Sequence, residues 1–136
     1  MSLESLNKRL AAVPKAVRQA VQPSLQKSGL ELVAAMRTLA EPSRDSGDLI
    51  DSIEMTPGGE QTPPYSQPGG SHTVPDNAVA VTAGNSDVRY PHLVEYGTAK
   101  AAAQPFFWPA FRLLRRRLQN RTKRAVGKAV REGWAQ

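Results

Sequence analysis

Two histidines, a cluster of serines and aspartates, one carboxylate set among apolar neighbours and an arginine-rich tail are the groups through which this chain could do chemistry. The histidines, His72 and His92, lie twenty positions apart, and His72 sits in a Pro/Gly-rich stretch. A metal centre would need them to converge with carboxylates in fixed geometry. Their spacing supplies no such pattern, and His92 reads as a capping or hydrogen-bonding group near a short helix. Ser46 and Ser52 stand beside Asp45, Asp48 and Asp51. Nucleophilic catalysis also needs a positioned base; without one, such clusters cap helices and turn the chain. Gly58-Gly59 and Gly69-Gly70 open no helix after a strand and belong to no phosphate-loop pattern. Cysteine is absent, which excludes disulfides and thiolate metal sites. No catalytic, metal-ligating or cofactor-binding set emerges.

Glu95 and the arginines carry more. Glu95 falls among Leu93, Val94 and Tyr96, a setting that penalises a carboxylate unless a partner offsets its burial. Its expected partners are Arg89, Lys100 or a cation on a neighbouring subunit; the competing reading is a buried acid, with the Ser/Asp cluster, serving a hydrolase. Arg115, Arg116 and Arg117, then Arg121, Lys123 and Arg124, are placed to neutralise phosphates with steep salt dependence. Three consecutive residues nevertheless spread over about 200° of a helical wheel. No aromatics are interleaved to stack bases, and no recognition-helix motif precedes them. A solvated face and a bridge to an acidic neighbouring subunit stay open beside nucleic-acid contact.

What must position these groups is a chain of 136 residues, enough for one domain, 1–136, with a modest core. Hydrophobic residues make up 40% and charged ones 22%, the fractions of a soluble globular protein. No apolar run approaches the roughly 20 residues that span a bilayer, so no membrane partner is expected. The first ten residues lack the apolar centre of a secretory signal; with no cysteine, a reducing cytoplasm is the expected setting. The net charge of +6 is uneven: from Ala99 onward ten Lys or Arg face one acid, giving +9, whereas residues 1–98 hold eight basic and eleven acidic side chains, giving −3. One end is therefore expected to meet something negative.

The first forty residues read as helix. Leu3, Leu6, Leu10, Val13, Val17, Val21, Leu25, Leu32, Met36 and Leu39 recur at three- and four-residue steps, with one gap near Ser28. A core-facing stripe is the first reading and a partner-facing coiled coil the second. Pro14 and Pro23 predict kinks or short breaks. Leu49–Met55 and Asn77–Gly84 read as strands that pair antiparallel. Between them, nine of the 21 residues from Thr56 to Asp76 are Pro or Gly, leaving too little apolar surface to offset ordering entropy. A long flexible hairpin arm is expected over 56–76, either a bland insertion or an arm ordered in an assembly. Pro109 suits the first turn of a last helix, 110–132; Phe111, Leu114, Leu118, Ala125 and Ala129, extended by Trp134, form its apolar stripe and cations occupy the rest. The expected fold class is α+β: a kinked N-terminal helix and a long C-terminal helix packed on a small antiparallel sheet with a long Pro/Gly-rich hairpin arm.

Residues 90–111 stand apart. All three Phe, one of the two Trp and two of the three Tyr fall in these 22 positions, each ring offering about 150–250 Å² for burial. Tyr90, Val94, Glu95, Tyr96, Gly97 and Thr98, then Gln104, Pro105, Phe106, Pro109, Ala110 and Phe111, form a pattern that resembles the neck and tail-completion (minor tail component) proteins of long-tailed bacteriophages, a head–tail joining family. In that family a Tyr-x-x-x-Val-Glu-Tyr-Gly-Thr-like segment is followed by a Gln-Pro-Phe-x-x-Pro-Ala-Phe-like lead into a final helix. A second likeness is Ser-Gly-x-Leu-x-x-Ser-Ile at Ser46, Gly47, Leu49, Ser52 and Ile53, after an N-terminal helix and ahead of a hairpin.

The resemblance implies no enzyme and no cofactor. It implies a virion protein, assembled in the host cytoplasm, built into a homo-oligomeric ring where the capsid portal meets the tail tube. DNA would pass through that ring without sequence-specific binding. The partners would be copies of itself, a head-closure or connector protein and the tail tube protein. On this reading Gly97 reverses the chain, Phe106, Phe107, Trp108 and Phe111 anchor the last helix to the sheet, and subunits meet through the basic helix and acids such as Asp45, Asp48, Asp51 and Glu54. The alternative is a small basic nucleic-acid-binding protein using the same helix.

Overall fold

The computed structural model describes residues 3–41, 47–88, 91–99 and 102–135. Its elements are α1 (Leu3–Ala40), α2 (Asp48–Asp51), β1 (Glu54–Thr56), β2 (Ala80–Thr82), α3 (Pro91–Tyr96) and α4 (Phe107–Ala135). The fold is α+β, with two long helices and a two-stranded antiparallel sheet in which Glu54, Met55 and Thr56 face Thr82, Val81 and Ala80. No helix among the described residues is long and apolar enough to cross a membrane.

α1 runs unbroken for 38 residues through Pro14 and Pro23, so neither proline ends it. Pro23 is exposed, which lets water serve the carbonyl that its missing N–H leaves without a helical partner. The inner face of α1 buries Val21, Leu32, Val33, Met36 and Ala40. The gap in its apolar stripe at Ser28 is where α4 crosses: Arg121 donates to Ser28 Oγ and to Glu31, and Arg117, one turn earlier, also reaches Glu31. The two helices therefore run antiparallel. α4 packs chiefly along α1, with the sheet playing a smaller part than the sequence suggested.

Leu32, Val33, Met36 and Ala40 from α1 meet Leu49, Ile53, Ala83, Val88, Phe106, Phe107 and Ala110 in one core. The strand expected over Leu49–Met55 is half helix. Gly47 enters at φ 90, and residues 48–51 form a turn closed by the Ser52 hydroxyl, which donates to the Leu49 carbonyl at 2.6 Å. Only Glu54–Thr56 are extended. Its partner is also shorter than Asn77–Gly84, because residues 75–78 make a turn, with Ala78 N–H on Pro75 O at 3.1 Å. α4 starts three residues before the expected 110 and runs three beyond 132.

The 56–76 arm has a defined path. Gly59 donates to Val74 O, Val74 to Glu60 O and Thr62 to His72 O, each at 2.8 Å. Gln67 and Ala83 exchange both backbone bonds, at 2.8 and 3.0 Å, so the arm folds back against the end of β2. Its base is fixed to α1 by Gln22, whose side-chain amide donates to the carbonyls of Asp76 and Ala78, both at 2.9 Å. Polar pairing supplies the order that its few apolar side chains do not.

Candidate functional site

The 90–111 pattern is built around one carboxylate. α3 ends at Tyr96, and Gly97 takes φ 78, the left-handed conformation that reverses the chain after a helix and that a side chain disfavours. The chain then returns, with Gln104 N–H on Val94 O at 2.8 Å. Glu95, buried on α3, thereby faces the start of α4. Its Oε2 accepts from the N–H groups of Phe106 and Phe107 at 2.7 and 2.9 Å, and its Oε1 accepts from Trp108 at 3.1 Å.

A helix leaves its first four N–H groups without internal partners. Here Glu95 takes three, and the fourth position is Pro109, which carries no N–H to satisfy. The negative charge also lies at the positive end of the α4 dipole. The cap is complete, although it comes from another helix eleven residues back in the chain.

The rings lock the same joint. Phe106 and Phe107 are buried, and Trp108 and Phe111 half-buried. Consecutive pairs 106–107, 107–108 and 108–111 meet edge to face with centroids 6.3, 5.0 and 6.1 Å apart, a favourable geometry for ring quadrupoles. Trp108 Nε1 donates to Tyr96 Oη at 2.8 Å. Pro105 is exposed ahead of the joint, and Val94 is partly buried against the core. The cleft beside it, walled by Pro68, Pro91, Phe107 and Trp108, holds about 80 Å³, well under the ~300 Å³ of small-molecule pockets. A wider, open groove between α1, β2 and α4 is lined by Leu25, Val79, Val81, Phe111 and Leu118.

The partners seen for Glu95 among the described residues are backbone groups. Arg89 and Lys100, the side chains expected to pair with it, lie outside the described residues, as does Tyr90. Ser52 is also engaged: its hydroxyl donates to Leu49 O and accepts from Gly84 N–H at 3.0 Å. Ser46 and Asp45 lie outside the described residues. His72 Nδ1 sits 3.0 Å from Gly70 O within the arm. Among the described residues no group of His, Asp or Glu is placed to hold a metal.

The cations predicted as one set fall into two. Arg121 turns inward with its side chain only 14% exposed, and together with Arg117 it holds Glu31 at 2.7 and 2.8 Å. The Arg121 hydrogen bond, then the nearby charges of Arg117, Arg121 and Lys27, lower the Glu31 pKa from its ordinary value against the opposing effect of burial. Arg115, Arg116, Lys123 and Arg124 stay exposed. The sequence held the signal for this split: Arg121 stands three residues after Leu118 and four before Ala125, on the apolar stripe itself, opposite the Ser28 gap. Gln22 and Glu31, the side chains that tie the arm and α4 to α1, were missed. Neither belongs to a motif, and each acts through residues more than fifty positions away.

No family model, curated protein or solved structure matches the chain.

Proposed function

We propose that this chain is a structural subunit of a bacteriophage virion, forming a homo-oligomeric ring at the head–tail junction, as tail terminator or neck protein, through which DNA passes. The observation that carries this reading is the Glu95 joint. The two halves of the 90–111 pattern, resembling Val-Glu-Tyr-Gly-Thr and Gln-Pro-Phe-x-x-Pro-Ala-Phe, meet at one carboxylate that accepts three backbone N–H groups. The pattern thus has a mechanical task, setting the direction of the final helix, and the reading assigns the protein no reaction and no cofactor. The order of elements, long helix, hairpin, short helix and long helix, follows the same resemblance. The ring's other contacts would be the head-closure or connector protein on one side and the tail tube protein on the other.

Negative-stain imaging of the purified protein mixed with tail tubes or filled capsids tests this. Rings capping tube ends identify a terminator; decoration of portals identifies a neck protein. Protein that engages neither particle overturns the reading.

A second reading is a small nucleic-acid-binding protein, favoured by the exposed Arg112, Arg115, Arg116, Lys123 and Arg124 on α4. Gel-shift titration against salt decides it: tight binding that falls steeply with salt supports phosphate contact, and no binding at moderate salt removes it.

A further inference from the structure

α4 presents a stripe that no other described residue engages by hydrogen bond or ion pair. Arg112, Arg116 and Lys123 lie within about 40° of one another on the helical wheel and all three are exposed, Lys123 at the rim of the groove between α1, β2 and α4. Among the described residues they make no ion pair or hydrogen bond, whereas Arg117 and Arg121 hold Glu31 and Lys128 lies near Glu132. The stripe continues into Val126 and Val130, 37% and 43% exposed. Cations followed by apolar side chains suit a protein surface better than a phosphate backbone, against which the valines would gain nothing.

A surface of the opposite kind lies elsewhere on the molecule. β1 and the arm enclose an open hollow of about 650 Å³ that contains Glu54 and Glu60, both exposed, with Met55, Pro63 and Pro64 among its apolar lining. Among the described residues no Lys or Arg lines it. The stripe therefore offers cations then valines, and the hollow offers carboxylates beside methionine and prolines.

We infer that the Arg112–Arg116–Lys123 stripe of one copy docks into the Glu54/Glu60 hollow of a second copy. This rests on the ring reading above and assigns it a contact. Two different patches meeting repeat head to tail, an arrangement that closes into a ring when the rotation allows. Both surfaces carry unlike charge, so complementarity sets register as well as attraction. The arm acquires a role: its Pro63–Pro64 turn forms one wall of the socket.

Two charge-reversed proteins test it, R112E/R116E/K123E and E54K/E60K, each checked for native circular dichroism and melting. Self-association is read by sedimentation at low and high salt, and as ring occupancy on tail tubes. The native chain should associate in a salt-sensitive manner, and each variant alone should associate roughly tenfold or more weakly. An equimolar mixture of the two should recover association, because the acidified helix fits the basified socket and the native helix fits the native socket. Folded variants that associate as the native chain does, or a mixture no better than its parts, overturn the contact while leaving the ring reading intact. Association that requires added duplex DNA and ignores E54K/E60K overturns it in favour of phosphate binding. A native chain that neither self-associates nor engages tubes or capsids removes the ring reading and this contact together.

Discussion

The lead into α4 and the 56–76 arm are both irregular and proline-containing, yet they are ordered by opposite means. In the lead, a single buried charge takes three N–H groups and a chain of rings closes the core. In the arm, order is spread over neutral bonds: the Gly59, Thr62 and Val74 ladder, the Gln67–Ala83 pair and the Gln22 clasp. Charge-assisted bonds are each worth about twice a neutral one, and three converge on one residue. Glycine and proline content thus says little about order; the supply of partners for backbone groups decides it. The lead should fail as a unit at one substitution, and the arm should loosen piecemeal.

The largest effect is expected at the lead. Glu95→Ala strands the N–H groups of Phe106, Phe107 and Trp108 in a mostly buried site and should cost about 3 kcal/mol or more in urea unfolding. Glu95→Gln keeps an acceptor but turns an amide N–H toward donors, and should cost about half as much. Phe106→Ala should match the first, at about 3–5 kcal/mol. A Glu95→Ala protein within about 1 kcal/mol of native would erase the contrast, because the cap would then be worth no more than one neutral bond.

The arm should respond less, and locally. A Cβ on Gly58 would lie 2.5 Å from Gln22 Nε2, 2.8 Å from Pro75 O and 2.9 Å from Ala78 O. Because two of those neighbours are backbone, Gly58→Ala should cost about 1–3 kcal/mol, and Gln22→Ala about 1 kcal/mol. Hydrogen exchange is the sharper measurement: amides of Gly59 and Val74 should lose protection while that of Phe107 keeps it. Equal loss at all three would mean that arm and core open together, and the comparison would collapse.

The same difference sets what the sequence disclosed. The α+β class, both long helices, the antiparallel pair and the aromatic joint were legible, because they rest on periodicity, ring density and Pro109. The α2 turn was not: Leu49 and Ile50 break alternation, and the deciding bond comes from Ser52, whose hydroxyl also reaches Gly84 across 32 positions. The capping role of Glu95 was hidden for a related reason. Its neighbours announced a buried acid, but its partners are backbone groups, which carry no residue type to read. The path of the arm was not legible, because it depends on which carbonyls Gln22 finds.

Charge alone does not separate the two regions, and Glu31 serves as the control. Its carboxylate also ties α4, but to guanidinium groups at a partly exposed seam. Its pKa is lowered chiefly by the Arg121 hydrogen bond, so its stabilisation is present above the ordinary carboxylate pKa and is lost as pH falls through the depressed folded value. Glu31→Gln should therefore cost at most about 1 kcal/mol at neutral pH, and the gap to the native chain should close at acid pH. High salt should narrow it too. A loss at neutral pH as large as that of Glu95→Ala would show that carboxylates, rather than buried backbone capping, distinguish the lead from the arm.

The smallest effect expected is also the most discriminating, because its sign is at stake. Ser66 and Thr82 line the junction of arm and sheet, are almost fully buried, and have hydroxyls with no hydrogen-bond partner among the described residues. A buried hydroxyl without a partner carries its desolvation cost with no return. Thr82→Val, which keeps the shape and removes that group, should leave stability unchanged or raise it by up to about 1 kcal/mol. Ser52→Ala is the counterpart: its hydroxyl both donates and accepts, so the loss should be about 1–2 kcal/mol. If Thr82→Val instead destabilises the chain as much as Ser52→Ala does, the Thr82 hydroxyl serves a buried partner such as water. The arm would then hold more polar cohesion than its direct bonds account for, and its distance from the lead would shrink accordingly.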